Sequence, residues 1–215
     1  MGCGGSKPAG KEGVDDAALK PVGVSEPNTG QVDEAYTKKV HSAIRWVKPI
    51  EEVDALIVNS AQANCKDPGN GNHPIHIAAQ NGHREYVILL KGKGADLNAQ
   101  NKGGNTALHM SLQYGYWWTA KWLIDNGADV STTNGEGNAA SAGIEGSVSI
   151  DGHIPALSDA KDAKEIEEAL DMLAADKEKG VEFDKAALVQ AGMGSKKARK
   201  AEWSDASSAK FKALM

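Results

Sequence analysis

Apolar residues along the chain recur at intervals of three and four, which is the spacing of one face of an α-helix. One such face predicts a helix over residues 34–47, and its apolar positions are Tyr36, Val40, Ala43, Ile44 and Val47. Pro49 suits the start of a partner helix, because a first helical residue needs no N–H donor. A second face predicts a helix over 162–179 that ends at Gly180, with apolar positions Ala163, Ile166, Ala169, Leu170 and Leu173.

Between these helices the chain repeats itself with a period of 33 residues, since residues 74–98 align with residues 107–131. The aligned anchors are His76 with His109, Gly82 with Gly115, and Gly94-Ala95-Asp96 with Gly127-Ala128-Asp129. Glycine adopts the left-handed conformation that ends a helix at little cost, so each unit predicts two short helices that end at these glycines. A polar turn, with Gly103-Gly104 at its tip, joins the two units.

This period and these motifs resemble the ankyrin repeat. The T-P-L-H element of that family corresponds to His73-Pro74-Ile75-His76 in one unit and to Thr106-Ala107-Leu108-His109 in the next. The resemblance implies an all-α solenoid whose units stack on their neighbours, with both histidines bonded across to neighbouring loops. It also implies protein binding through turn tips and inner-helix faces, without catalysis.

The segments before and after these two units extend the array but match the repeat less closely. The helices before the repeats are predicted to form an N-terminal cap, and residues 137–144 form a degenerate third repeat that lacks the threonine cap, the core leucine and the histidine. The helix over 162–179 is predicted as a C-terminal cap. The expected organisation is an acylated tail over 1–32, a repeat array over 33–152, an acidic cap helix over 153–180 and a basic, aromatic segment over 181–215.

The N-terminal tail predicts disorder and lipidation. Residues 1–32 hold seven glycines and three prolines, with few large apolar side chains to bury. The first six residues match the myristoylation pattern, with Gly2 as the acceptor after removal of Met1. Palmitoylation of Cys3 would add a second chain, and two chains anchor stably where one binds reversibly. We therefore expect a peripheral protein on the cytoplasmic face of a membrane, such as the plasma or ciliary membrane.

Composition excludes several other classes. The chain of 215 residues has a net charge of −5, which argues against a nucleic-acid binder. No run of consecutive aliphatic residues is longer than four, so neither a membrane-spanning helix nor a secretory signal is predicted. Two cysteines exclude a disulfide-stapled secreted scaffold, and Cys65 is expected to be a buried free thiol.

Two groups of residues are candidates for partner binding. The first group lies at the turn tips and consists of Asp67, Asn70, Lys102, Gly103 and Asn105. The second crowds the helix–helix turn of one repeat and consists of Tyr114, Tyr116, Trp117 and Trp118. Exposed tryptophan and tyrosine are favoured as interface anchors. The alternative is that these rings pack under the third repeat or under the C-terminal segment.

The C-terminal segment also allows two interpretations. Lys196, Lys197, Arg199 and Lys200 place four positive charges within five residues, and Trp203 and Phe211 follow. Such a segment can bind acidic lipid or an acidic groove of a partner. It can also fold back on the acidic cap helix, since residues 155–185 hold ten acidic residues against five lysines.

Catalytic chemistry is weakly indicated. Residues 135–140 superficially match a dinucleotide-binding loop, but no predicted strand precedes them. His73 and His76 lack further ligands at metal spacing, so no metal and no cofactor is predicted. The sequence predicts a monomeric, non-catalytic module that binds an unidentified protein and acts as an adaptor or local regulator. The alternatives are a ciliary or cortical linker between membrane and cytoskeleton, and a nucleotide-binding enzyme.

Overall fold

The computed structural model describes residues 32–148, 152–193 and 203–215, and in these ranges the chain is helical and contains no strand. Its helices are α1 (Glu34–Arg45), α2 (Ile50–Leu56), α3 (Ser60–Ala63), α4 (Pro74–Gln80), α5 (Arg84–Gly92), α6 (Ala107–Gln113), α7 (Trp117–Asp125), a 3-10 turn (Ala140–Ala142), α8 (Ile154–Asp159), α9 (Ala163–Glu178), α10 (Lys185–Met193) and α11 (Asp205–Leu214). The predicted all-α fold is confirmed. None of the described helices combines the length and the apolar character that crossing a bilayer requires.

The repeats stack in two rows of helices. The inner row consists of α1, α4, α6 and the 3-10 turn, and the outer row consists of α2, α5 and α7. Each unit buries small and branched apolar side chains against the next, so that one continuous core runs from Val40 to Ala140. Because an isolated unit cannot cover this face, stacking supplies the stability of the array.

The loops between inner and outer helices form one edge of the stack, here called the turn edge (residues 46–49, 81–83 and 114–116). The predicted glycine stops are confirmed, since Gly82 has φ +65° and Gly115 has φ +74°. The first unit differs from the expected helix over 34–47, because α1 ends at Arg45 and Val47 takes the left-handed conformation with φ +53°. The expectation that Val47 belongs to the apolar helix face is therefore wrong, and its side chain is 53% exposed.

The chain after the repeats forms a C-terminal lobe of four helices, α8 to α11. Its core consists of Ala156, Leu157, Ala160, Ile166, Ala169, Leu170, Leu173, Leu188, Ala191 and Leu214. The predicted helix over 162–179 is confirmed, with Asp162 accepting a hydrogen bond from the Glu165 N–H at 2.9 Å and Gly180 at φ +87°. Helix α10 includes Gly192, where the ring of Phe211 occupies the space that a Cβ atom would take.

Candidate partner-binding surface

The polar turns between repeats form an exposed edge, here called the tip row (residues 67–72, 101–105 and 134–138). An acidic or amide side chain organises each turn by accepting two backbone hydrogen bonds. Asp67 accepts from the N–H groups of Gly69 and Asn70 at 2.8 and 3.0 Å. Asn101 and Asn134 do the same one repeat apart, each with partners two and four residues ahead at 2.9 to 3.0 Å. The two later turns are thereby held in the same shape, while the first turn is one residue longer.

Asparagine side chains also join successive turns. The Asn101 amide donates to Asn72 Oδ1 at 2.9 Å, and the Asn134 amide donates to Asn105 Oδ1 at 2.9 Å. The backbone N–H of Lys102 donates to the Asn70 carbonyl at 3.0 Å. The matching bond one repeat later runs from the Gly135 N–H to the Gly103 carbonyl at 2.8 Å. This ladder was not predicted, although the spacing of 33 between Asn72 and Asn105, and between Asn101 and Asn134, was available as a signal.

The two repeat histidines are buried beneath the tip row and bond to its backbone carbonyls. The Nε2 atom of His76 lies 2.8 Å from the Asn105 carbonyl, and that of His109 lies 3.0 Å from the Asn138 carbonyl. In both rings Nδ1 accepts a backbone N–H at 3.1 Å, so Nε2 carries the proton. Burial lowers the pKa of His76 to about 4, which keeps its ring neutral. The expected bonds from both histidines to neighbouring loops are confirmed.

The predicted tip residues divide by exposure. Asn70, Lys102 and Gly103 are exposed, whereas Asp67 and Asn105 are half-buried and use their side-chain oxygens inside the row. Lys102 reaches back over the preceding turn and donates to the Pro68 carbonyl at 2.6 Å. Backbone N–H groups that donate to Asp67 lower the pKa of its carboxyl group, so it remains charged. Asp67 and Asn105 therefore shape this surface, while Asn70 and Lys102 are exposed on it, although Asn70 Oδ1 also accepts the Asn72 N–H at 2.8 Å.

The aromatic cluster does not form the expected exposed surface. Trp117 and Trp118 are 4% and 5% exposed, because both pack against the C-terminal lobe. The Trp118 indole donates to the Ala156 carbonyl at 3.0 Å, and the Trp118 backbone N–H donates to Asp159 at 3.1 Å. The expectation that these two tryptophans are exposed anchors is therefore wrong, since the helices after residue 152 cover them. Tyr114 is 51% exposed.

The loop that resembled a dinucleotide site is part of the tip row. The N–H of Gly135 donates to Gly103, and those of Glu136 and Asn138 donate to the Asn134 side chain. A phosphate would need these N–H groups, and they are already bonded. Among the described residues, no group of three or more histidine, cysteine, aspartate or glutamate side chains is arranged to hold a metal ion. Burial raises the pKa of Cys65 to about 11, consistent with the predicted buried thiol.

The C-terminal segment packs back on the acidic helix where it is described. Helix α11 lies against α9, with Lys210 paired to Asp171 at 2.5 Å and Lys177 donating to the Ala213 carbonyl at 2.8 Å. The rings of Trp203 and Phe211 meet edge to face at 5.4 Å and pack on the lobe core. The fold-back interpretation is thus confirmed for residues 203–215.

Two sets of predicted site residues lie outside the described ranges. They are the lipidation candidates Gly2 and Cys3, and the basic run Lys196, Lys197, Arg199 and Lys200. An exposed residue that sequence reasoning missed is Trp46, at 73% exposure. The sequence pattern did not indicate this exposure, because Trp46 directly follows α1, whose large apolar residues are mostly buried.

Comparison with known proteins agrees with this geometry. A search of the curated proteins finds no significant match. Residues 40–134 match the family model described as "Ankyrin repeats (3 copies)". The matched segment begins within α1, so it includes helices that were predicted only as a cap. Residues 40–134 of this chain are therefore similar to ankyrin repeats.

Proposed function

We propose that this protein is a non-catalytic adaptor or local regulator that binds a protein partner along the tip row while acyl chains on Gly2 and Cys3 hold it at the cytoplasmic face of a membrane. Ankyrin repeats indicate a protein–protein interaction module, which supports the first part. The observation that carries it is the ladder between Asn72, Asn101, Asn105 and Asn134. A surface held in place before binding loses little conformational entropy when a partner docks.

The position of the C-terminal lobe favours the same surface. The lobe contacts the turn edge, where Lys161 donates to the Gly82 carbonyl at 2.9 Å and Arg84 pairs with Glu165 at 2.7 Å. These contacts occupy the opposite ends of the inner helices from the tip row. A partner can therefore bind the tips without displacing the lobe.

The partner-binding proposal is tested on the intact chain. Proximity labelling would identify partners, and their affinity would then be measured for wild type and for the double variant Asn70→Ala, Lys102→Glu. We expect a loss of affinity of about tenfold or more and a melting temperature only about 2 to 4 °C lower, because both side chains are exposed and each makes one hydrogen bond within the row. The matched control is Lys164→Glu, which makes the same charge change on the exposed face of α9. Equal affinity of the double variant and wild type would refute the tip row as the binding surface.

The tether is tested by membrane fractionation. Gly2→Ala should release the protein from the membrane pellet, since both acylations depend on the first chain. Cys3→Ser should leave weak, exchangeable binding, because one acyl chain is insufficient for stable anchoring. A Gly2→Ala protein that stays in the pellet after detergent treatment would instead favour a cytoskeletal linker.

A further inference from the structure

The loop between α1 and α2 presents apolar side chains to solvent. This segment, residues 45–50, is here called the Trp46 turn. Trp46 is 73% exposed, Val47 is 53% exposed and Ile50 is 37% exposed. In the next two units the turn-edge loops lie beside the C-terminal lobe, which contacts Gly82 and buries Trp117. The Trp46 turn therefore forms an uncovered apolar projection at one end of the turn edge.

The backbone of this turn is strained at Val47. The N–H of Val47 donates to the Ile44 carbonyl and that of Lys48 to the Ala43 carbonyl, at 3.2 and 3.0 Å. The equivalent pairs of bonds in the following units are donated by Gly82 with His83 and by Gly115 with Tyr116, and Val47, Gly82 and Gly115 all have positive φ. A β-branched residue is strongly disfavoured in this conformation. The chain thus carries an exposed valine where glycine would fold more easily, which points to a role outside folding.

The surroundings of Trp46 match the interfacial region of a bilayer. Arg45 and Lys48 flank the two exposed apolar residues, and both basic residues are exposed. Tryptophan prefers the boundary between headgroups and acyl chains, and flanking cations attract anionic lipid. Glu52 lies 3.9 Å from the Lys48 ammonium group and offsets part of its charge, so apolar insertion contributes more than attraction.

The N-terminal tail is long enough to allow this contact. It joins the folded body at the opposite end of α1, a helix of 12 residues that is about 18 Å long. The 31 residues that precede Val32 can span at most about 100 Å, since a fully extended chain advances about 3.3 Å per residue, and this limit far exceeds the length of α1. Acyl chains on Gly2 and the Trp46 turn can therefore enter the same leaflet.

We propose that the Trp46 turn inserts into the headgroup region of an anionic bilayer and orients the repeat array on the membrane. This inference rests on the proposed acyl tether, which supplies the local concentration that a single small turn needs. Insertion places the uncovered end of the turn edge, residues 45–50, toward the lipid with the C-terminal lobe beside it. The tip row, at the other end of the inner helices, then lies toward the cytoplasm. The tether and the turn together would thus present the partner-binding surface away from the membrane.

The test uses the full chain, myristoylated by co-expression with the transferase and checked by mass spectrometry. Vesicles of phosphatidylcholine and phosphatidylserine that carry brominated acyl chains would report tryptophan insertion by quenching. We expect quenching in wild type, its loss in Trp46→Ser, and about tenfold weaker vesicle binding of that variant. Val47→Gly should also bind more weakly although its fold is less strained. Val181→Ser, which removes a 46% exposed valine from the lobe, is the matched control and should behave as wild type.

Each possible negative result leads to a different conclusion. If the chain is not myristoylated, the proposed tether fails, and the insertion is still tested by attaching an N-terminal histidine tag to nickel-chelating lipid. Vesicle-bound wild type without quenching, or equal quenching in Trp46→Ser, overturns the insertion. A Trp46→Ser variant that binds vesicles normally but loses its protein partner shows that the turn is a protein contact, and this too overturns it.

Discussion

The ring of Tyr116 lies so close to the backbone of Gly82 that a Cβ atom on residue 82 would be 2.2 Å from the ring carbon Cδ1. Gly82 therefore satisfies two requirements at once. It adopts φ +65°, which ends α4, and it leaves room for a ring from the next repeat. The contact joins successive units at the turn edge, where the Gly82 carbonyl also accepts a hydrogen bond from Lys161 of the lobe.

Replacement of Gly82 is predicted to be more destabilising than replacement of Gly115. Gly82→Ala should cost about 3 kcal/mol, from backbone strain together with the displaced ring. Gly115 has a similar φ of +74° but no heavy atom within 4 Å of the added carbon, so Gly115→Ala should cost only about 1 kcal/mol. Denaturant unfolding of both variants measures the difference, and equal losses would show that the Tyr116 contact is unimportant.

A double-mutant cycle separates the two contributions. In the background of Tyr116→Ala, the extra methyl group at residue 82 no longer meets a ring, so Gly82→Ala should cost about as much as Gly115→Ala does. The expected coupling free energy between residues 82 and 116 is about 1 to 2 kcal/mol. Additive effects of the two substitutions would contradict the packing relationship.

Val47→Gly is predicted to stabilise the fold. Valine in the left-handed conformation costs about 1 to 2 kcal/mol of stability. Because the side chain is exposed, its hydrophobic burial offsets little of this cost. The gain is reduced by the greater chain entropy of glycine when unfolded, which leaves about 0.5 to 1 kcal/mol. A higher midpoint of urea unfolding with an unchanged slope checks this. Val58→Gly is the control, because Val58 is equally exposed but does not have a positive φ, and it should not stabilise.

Two buried histidines are predicted to make the array sensitive to acid. Burial lowers the pKa of both His41 and His76 to about 4, below the value of about 6.5 in the unfolded chain. Between pH 6.5 and pH 4 the unfolded state binds protons that the folded state does not bind. The free energy of unfolding therefore falls as pH falls through this window. Above pH 6.5 both states are neutral and the effect vanishes. The loss between pH 7 and pH 5 should be roughly 2 kcal/mol for each ring.

The contribution of His41 is isolated by His41→Leu, which places an apolar side chain that cannot bind a proton at the same buried position of α1. Its free energy of unfolding should depend less steeply on pH between 5 and 7 than that of wild type. Chemical denaturation at several pH values provides the comparison, and the change in slope corresponds to one proton. Identical slopes would mean that His41 is accessible to protons in the folded state.

The sequence predicts the repeats well and the lobe packing poorly, for a physical reason. His76, Gly82, His109 and Gly115 act within one unit or between neighbours, so their spacing alone indicates the local structure. The burial of Trp118 depends on a hydrogen bond to Ala156, which is 38 residues away. No local pattern indicates such a partner. The turn at Val47 was also missed, because the signal of a left-handed helix stop is a glycine and none is present there.

Glu165 is predicted to strengthen the attachment of the lobe to the repeats, beside the buried contacts of Trp117 and Trp118. Glu165 is only 5% exposed, pairs with Arg84 at 2.7 Å and accepts the Lys161 N–H at 2.7 Å. Glu165→Gln keeps the shape of the side chain, but it replaces the carboxylate with a neutral amide. The guanidinium group of Arg84 then has no counter-charge from residue 165. We expect a loss of about 2 kcal/mol, less than for a fully buried pair because Arg84 is partly exposed.

The measurement must distinguish opening of the lobe from unfolding of the array. In Glu165→Gln, α8 and α9 should exchange amide hydrogen faster while α4 and α6 stay protected, and acrylamide should quench Trp117 and Trp118 more strongly. Lys210→Ala is the control, since it breaks an ion pair with Asp171 that is exposed on both sides and should leave the stability almost unchanged. Uniformly faster exchange across both rows of helices would instead mean that the lobe and the repeats unfold as one cooperative unit.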